Sequence, residues 1–422
     1  MANRLPLIQE YNLDLQYEFA HGWVADIGYV GSHGAHLYNW SQDLNLARLV
    51  AGAPNAPTAF QNAEMIASSL PFNDPANATP VTVNTVANAD ERVAYLGFAP
   101  EGVATTNTNG DSLYNSLQAQ LKHQFANGLT LQVAYTWSKA ITNVDTAEAG
   151  SGINPPGEVI YGSSNSNDPT DLRQQYGLAA FNRPQRLSVA YSYDLPWKHT
   201  EGFTGKALSG WSVSGVTTIQ DGEPFSLADS QGGSIYYGTG SANSRAVLAD
   251  PVDCSPRTGI CKSGIPLVSS GSNSQRATPG NNWLNTAAYI PLNSITASSP
   301  YCIGGVFNPT GSATDPCGDA PGALGPGDPG ATYVGAGTGF GNSGVGEISG
   351  PGQINFDMAL IKNTKLWEGT TLQFRTEFFN LFNHAQFDPP FGVDASTAAT
   401  FGQIRSTSTT PRVVQFGLKF LF

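Results

Sequence analysis

An all-β fold, an antiparallel transmembrane β-barrel with long extracellular loops, is what this 422-residue sequence predicts. Three observations predict it. Apolar residues alternate with polar ones over stretches of about ten residues, the length a tilted strand needs to cross a membrane. Aromatic residues gather at the ends of those stretches, where membrane barrels carry interfacial girdles. The connections alternate between short and long, as they do when short turns face the periplasm and long loops face outside. A soluble sandwich accounts for the alternation. It has no reason to put every long connection at one end.

The elements follow in order. Tyr11, Leu13, Leu15, Tyr17 and Phe19 alternate with Asn12, Asp14, Gln16 and Glu18. The second set holds two carboxylates, so its face must meet water. After AHG, the residues Trp23, Ala25, Ile27 and Tyr29 share the apolar face of the returning strand. Leu117, Ala119, Leu121 and Phe125 then alternate with Gln118, Gln120, Lys122 and Gln124. ANG leads to Leu129, Leu131, Val133, Tyr135 and Trp137. A third pair has Leu187, Val189, Tyr191 and Tyr193, a turn through Pro196, then Trp211, Val213 and Ile219. The fourth has Ile354, Phe356, Met358 and Leu360, the turn WEG, then Leu372, Phe374 and Phe378 opposite Gln373, Arg375 and Glu377. The ninth strand closes the chain, with Val414, Phe416, Leu418, Phe420 and Phe422 on one face. The pattern predicts one segment over 1–422 with long outer loops at 32–111, 139–184 and 222–352. Phe378, Phe379, Leu381 and Phe382 break the alternation in EFFNLFNHAQF, which predicts a bulge or a loop packed on the rim. Asn380 and Asn383 are expected to satisfy backbone there.

Composition narrows the function. Charged residues make up 12% of the chain, about half the share in soluble domains. A net charge of −12 and a pI near 4.8 argue against a nucleic-acid partner. No apolar run reaches the length of a membrane helix. The start, MANRLPLIQEYN, does not read as a signal peptide. Nine strands with a periplasmic C-terminus put the N-terminus outside, and an odd count is foreign to bacterial single-chain barrels. The chain therefore reads as the C-terminal part of a longer protein.

Candidate chemistry is sparse. Cys254, Cys261, Cys302 and Cys317 lie in one Gly-, Pro- and Ser-rich loop and read as two disulfides of open connectivity, with free thiols as the alternative. Gly339–Gly344 fits G-x-G-x-x-G, yet no strand–helix context surrounds it. His33 and His36 in SHGAH, and Asp168 and Asp171 in NDPTD, are metal-ligand types that read better as loop polar groups. Asp14, Glu18, Gln118, Gln120, Lys122, Arg375 and Glu377 are the residues expected to line a lumen. No nucleophile elbow or zinc-protease motif occurs. The expectation is no enzyme, no cofactor and no resident metal.

Several stretches resemble the C-terminal barrel of TonB-dependent outer-membrane receptors, in particular the Oar-like group with a carboxypeptidase-regulatory-like domain. They are IQEYNLDLQYEFAHGWVADIGYVGSHGAHL, SLYNSLQAQLKHQFANGLTLQVAYTWSKAI, FNRPQRLSVAYSYDLP and LSGWSVSGVTTIQDGEPF. NWLNTAAYIP, ISGPGQINFDMALIKNTKL, LQFRTEFFNLFNHAQFDPP and PRVVQFGLKFLF complete the set, in the family's order. The resemblance implies a 22-stranded barrel, of which this is the C-terminal portion, and uptake of a large or scarce solute across the bacterial outer membrane. It implies that Val414, Phe416, Leu418, Phe420 and Phe422 form the signal read by the barrel-assembly machinery. The plug, the TonB-contacting segment and the regulatory domain have no counterpart here, so the TonB system is a partner only through a missing N-terminal part. The expected surroundings are outer-membrane lipid, and the cargo is open. Two other readings stand beside it: a surface structural or adhesion protein, and a passive porin formed by oligomerised fragments.

Overall fold

The computed structural model describes residues 4–43, 45–47, 49–50, 65–66, 93, 95, 98–100, 103–124, 128–144, 175–197, 202–229, 244–248, 265–278, 281–290, 343–367, 369–390, 393, 395 and 399–422. Among these described residues, nine long strands form one antiparallel sheet in chain order. They are β1 (Leu7–Ala20), β2 (Trp23–Asp43), β3 (Ala104–Gln124), β4 (Leu129–Thr142), β5 (Gln185–Asp194), β6 (Trp211–Gln220), β7 (Gln353–Trp367), β8 (Thr370–Phe379) and β9 (Val413–Leu421). A two-residue strand, Gly177–Leu178, adds to the outer end of β4. The sheet is open, with β1 and β9 at its edges.

The register joins the alternation of separate strands into two faces. Leu15 pairs with Ile27, Ile27 with Ala119, Ala119 with Tyr135, Tyr135 with Leu187, Leu187 with Ile219, and Ile219 with Ile354. Met358, Phe378 and Val414 carry the same face to the last strand. One residue over, Asp14, Gly28, Gln118, Thr136, Arg186, Gln220 and Gln353 form a row on the opposite face. A one-residue slip in any strand would exchange its faces. The agreement across nine strands therefore fixes one apolar and one polar surface.

That apolar surface is uncovered. Leu13, Leu15, Phe416 and Leu418 are each more than two-thirds exposed, and Ile27, Leu117 and Trp137 in the interior strands are also exposed. Patches of this breadth do not persist in water. Hydrocarbon is the solvent that suits them. No helix among the described residues is long and apolar enough to cross a membrane.

Aromatic pairs bound the apolar band. At the outer end Tyr11 and Tyr29 stack at 6.1 Å, and both hydroxyls donate to Asn115 Oδ1, at 3.3 and 2.6 Å. Tyr11 also lies over Gly31, where a Cβ would stand 2.1 Å from its ring, so only a glycine fits beneath it. At the other end Phe19 packs on Trp23, which stacks on His123 at 3.9 Å, and Trp367 packs on Phe420. Tyr11 and Phe19 are eight residues apart on β1, about 27 Å along a strand. At the 35–45° tilt of barrel strands this is about 20 Å of height, most of the roughly 25 Å apolar band of membrane barrels.

The two ends differ. Gly22, Gly128 and Gly369, in the short connections β1–β2, β3–β4 and β7–β8, have left-handed φ of 72°, 84° and 78°. The β5–β6 connection is longer and contains α1 (Gly202–Leu208). Its last carbonyls, Lys206 O and Ser209 O, accept hydrogen bonds from Lys362 Nζ, which also sits 5.6 Å from the Trp211 ring. A cation at a helix C-terminus is favoured by the peptide dipoles.

The strands outrun the expected loop edges. β2 and β3 remain paired to Asp43 and Ala104, beyond the 32–111 boundary, and β4 runs to Thr142, beyond 139. Polar residues there read as loop, but ladder bonds need no apolar side chain once the strands stand above the membrane. Bulges beside Ala35, Leu37 and Asn39 mark that exit. A further long connection, 380–412, also leaves from the outer end, and EFFNLFNHAQF opens it. An arginine at position 418, on the apolar face, is expected to cost about 2–4 kcal/mol, whereas Gln415→Arg on the polar face should cost far less. Urea unfolding in phospholipid bilayers, read by loss of heat-modifiable gel mobility, compares the two.

Candidate functional site on the polar face

Asp14, Gln118, Gln120, Lys122, Arg375 and Glu377 share the polar face by register, with Glu18 at its periplasmic end. They do not converge on one point. Asp14 lies over Gly28. Glu18 is occupied by the turn, its Oε1 accepting from Gly22 N–H at 3.1 Å. Gln118 Nε2 donates to Ser116 Oγ. Arg375 and Glu377 form an ion pair at 2.7 Å. The four cysteines, Asp168 and Asp171 lie outside the described residues.

The concave part of this face lies over β4–β8. A cavity of about 390 Å³ is floored by two rungs of the ladder. One rung is Gln132, Ala190, Val216 and Asp357; the next is Thr130, Ser192, Ser214, Ala359 and Glu377. Small side chains in the middle and longer ones at the flanks make the surface hollow. Asp357 had no place among the expected lumen residues, although Asn355-Phe356-Asp357 carried the alternation that would have placed it. Its Oδ1 accepts from Asn380 N–H at 2.8 Å and its Oδ2 from Asn355 Nδ2 at 3.0 Å.

At the outer end, EFFNLFNHAQF resolves into amide chemistry. Asn380 and Asn383 adopt left-handed φ of 53°, a region their short side chains tolerate. Asn380 Oδ1 accepts from His384 N–H, and its Nδ2 donates to the His384 and Thr410 carbonyls. Asn383 Oδ1 accepts from Arg412 N–H at 2.9 Å. Gln386, almost wholly buried, pairs with the Ile354 backbone in both senses: Ile354 N–H to Oε1 at 2.7 Å, and Nε2 to Ile354 O at 2.5 Å. A side-chain amide thus continues the ladder where β8 has left the edge of β7. Arg183 does similar work from FNRPQRL, donating to Asp221 O at 2.8 Å and Glu223 Oε1 at 2.6 Å.

Beyond this rim the loops fold into a cap. Leu227, Leu267, Leu284 and Ile348 are fully buried, together with Trp283, Val393 and Phe401. The first five residues come from the 222–352 loop, and the last two from 380–412. Backbone bonds knit the loops: Ala228 N–H to Val393 O, Ala395 N–H to Ala228 O, and Trp283 N–H to Gly402 O. Phe225 pairs with Ile348 at the base. Glu347 sits half-buried in the cap. Burial raises its carboxyl above the ordinary carboxylate range, partly offset by the Gly344 N–H and the charge of Arg245.

His33 Nε2 lies 2.9 Å from Asp111 Oδ2, while Asp111 Oδ1 accepts from Tyr176. His36 has φ 57° and lies beside a bulge. Among the described residues no group of three or more His, Cys, Asp or Glu is placed to hold a metal ion.

This geometry is that of a wall with a lipid side and a wet side, and sequence comparison decides its class. The profile of the outer membrane beta barrel domain matches residues 1–415. The chain belongs to that family. It is accordingly a β-barrel chain of the bacterial outer membrane. The crystal structure of the outer membrane transporter YddB from Escherichia coli aligns with 99% of this chain and 33% of its own, at 10% identity and a TM-score of 0.40. The barrel chain thus spans about a third of that transporter's length. No curated protein sequence matches it.

Two expectations follow for the outer end. Gln386→Ala leaves both Ile354 backbone groups unpaired, so β7 should lose about 1–3 kcal/mol locally, read as faster amide exchange at Ile354. For Glu347, the raised value means its contribution is full below the ordinary carboxylate range, near pH 4.3, and declines as pH rises through the raised value. The cap should therefore open more readily at pH 7 than at pH 4, and Glu347→Gln should flatten that dependence. Amide exchange of cap residues against pH measures it.

Proposed function

We propose that the barrel chain forms the C-terminal wall and part of the outer cap of a TonB-dependent, Oar-like receptor that takes up a large or scarce solute. The observation that carries this reading is a hollowed polar face on a sheet whose outer loops fold into a packed cap. A wall that only enclosed water would need neither the hollow nor the cap. The ordered resemblance from IQEYNLDLQYEF to RVVQFGLKFLF supports the receptor type. On this reading the polar face lines the lumen, and its hydroxyls, amides and carboxylates contact cargo or plug. Phe422, fully exposed at the end of the apolar face, is the terminal aromatic presented to the barrel-assembly machinery. No catalytic step is assigned to it.

A folded surface cap also suits adhesion, and one comparison separates the readings. Cells lacking the gene are scored for accumulation of labelled solutes, with and without an active TonB system, and for attachment to surfaces. The receptor reading expects one solute class to lose its TonB-dependent accumulation and to regain it on complementation. Unchanged accumulation with lost attachment would replace it with the adhesive reading. Energy-independent conductance by the purified protein in planar bilayers would replace it with a porin.

A further inference from the structure

We propose that the hollow on the polar face binds a neutral, polyhydroxylated ligand, an oligosaccharide, as the cargo of the barrel. This inference rests on the receptor reading and names its substrate class. The cavity of about 390 Å³ lies within the size range of small-ligand sites. Its chemistry selects among ligands. No residue lining it is basic, and the nearby Arg375 is spent on Glu377. An anionic ligand would meet Asp357, whose hydrogen-bond donors are both neutral, at a cost that grows as water is displaced.

Sugar hydroxyls both donate and accept, and the hollow offers both kinds of partner. Asp357 and Glu377 accept, Gln132 donates and accepts, and Ser192 and Ser214 do either. Each carboxylate oxygen of Asp357 already holds one donor, Asn380 N–H or Asn355 Nδ2, which fixes the group while leaving further lone pairs open.

The remaining observation is Phe379. It follows Glu377 by two residues on β8, so the pleat puts it on the polar face, where it is 43% exposed beside the cavity. Its cross-strand partner on that face is Val413, so the two make an exposed apolar flank to the hollow. Beside carboxylates and hydroxyls the Phe379 ring supplies a flat apolar platform for the C–H face of a pyranose, while the small residues between the flanks let the ring plane approach the sheet. The two rungs span five strands, about 19 Å at about 4.8 Å per strand, so the ligand lies across strands and is longer than a monosaccharide.

The test uses the protein extracted from outer membranes in detergent, titrated calorimetrically with three neutral hexasaccharides: a glucan, a xylan and a mannan. A galacturonic acid hexamer and a chitosan hexamer serve as the anionic and cationic comparisons. The expected result is saturable binding of at least one neutral hexasaccharide, insensitive to salt and at least tenfold tighter than either charged hexamer. Phe379→Ala and Glu377→Gln should each weaken it tenfold or more while keeping the heat-modifiable mobility of the folded barrel. Preference for the chitosan hexamer, lost at high salt, would overturn the proposal and make the carboxylates a cation site. Failure of every neutral hexasaccharide, or neutral binding indifferent to both substitutions, would overturn it as well. TonB-dependent uptake of another solute class would survive such failures, so the two readings fall separately.

Discussion

Hydrocarbon offers no hydrogen bonds, and that constraint governs the whole chain. Each backbone N–H and C=O inside a bilayer must find a partner within the protein. The strands satisfy it between neighbours by pairing in chain order, which leaves the outer edges of β1 and β9 as the places that need a further strand. Register follows, because the face that meets lipid must stay apolar in every strand at once. Even the local devices obey it. Gln386 takes the place of a departing strand beside Ile354, and Glu18 ties the backbone of the first turn. The irregularities in β2 collect where the strands have left the apolar band.

The distribution of burial is the reverse of a soluble protein's. In the sheet the large apolar residues are exposed, whereas the densest packing is in the cap, where Leu227, Leu267, Leu284 and Ile348 have no accessible surface. The same chain therefore uses hydrophobic surface in two ways: as a lipid-facing coat and as a water-driven core. The acidic balance is concentrated on neither. It is spread over polar face and loops, and on the polar face Arg375 is paired with Glu377.

Much of this was legible in the residues. The period of two located the long strands of the antiparallel sheet. The tendency of aromatics to sit at strand ends marked Phe19 and Phe420, but not their partners Trp23 and Trp367, nor the Tyr11–Tyr29 pair. Three further things were not legible. The polar outer parts of β2 and β3 carry no apolar signal, because ladder bonds above the membrane are independent of side chains. The role of Gln386 depends on a contact with Ile354, 32 residues away, which no local pattern encodes. Asp357 alternates correctly with its neighbours, yet only the register beside Val216 and Ala190 shows that it flanks a hollow.

The cap's composition sets a timetable for the molecule. Its core joins Leu227 to Phe401, about 170 residues later, and closing contacts that distant in sequence is slow. Between them lie β7 and β8, which must already span the bilayer for Val393 to reach Ala228. The 222–352 loop therefore cannot close this core from its own residues, because Val393 and Phe401 are supplied from beyond both strands. Cap packing and strand insertion are therefore coupled: a fault in β7 or β8 is felt in a core to which neither strand contributes a side chain.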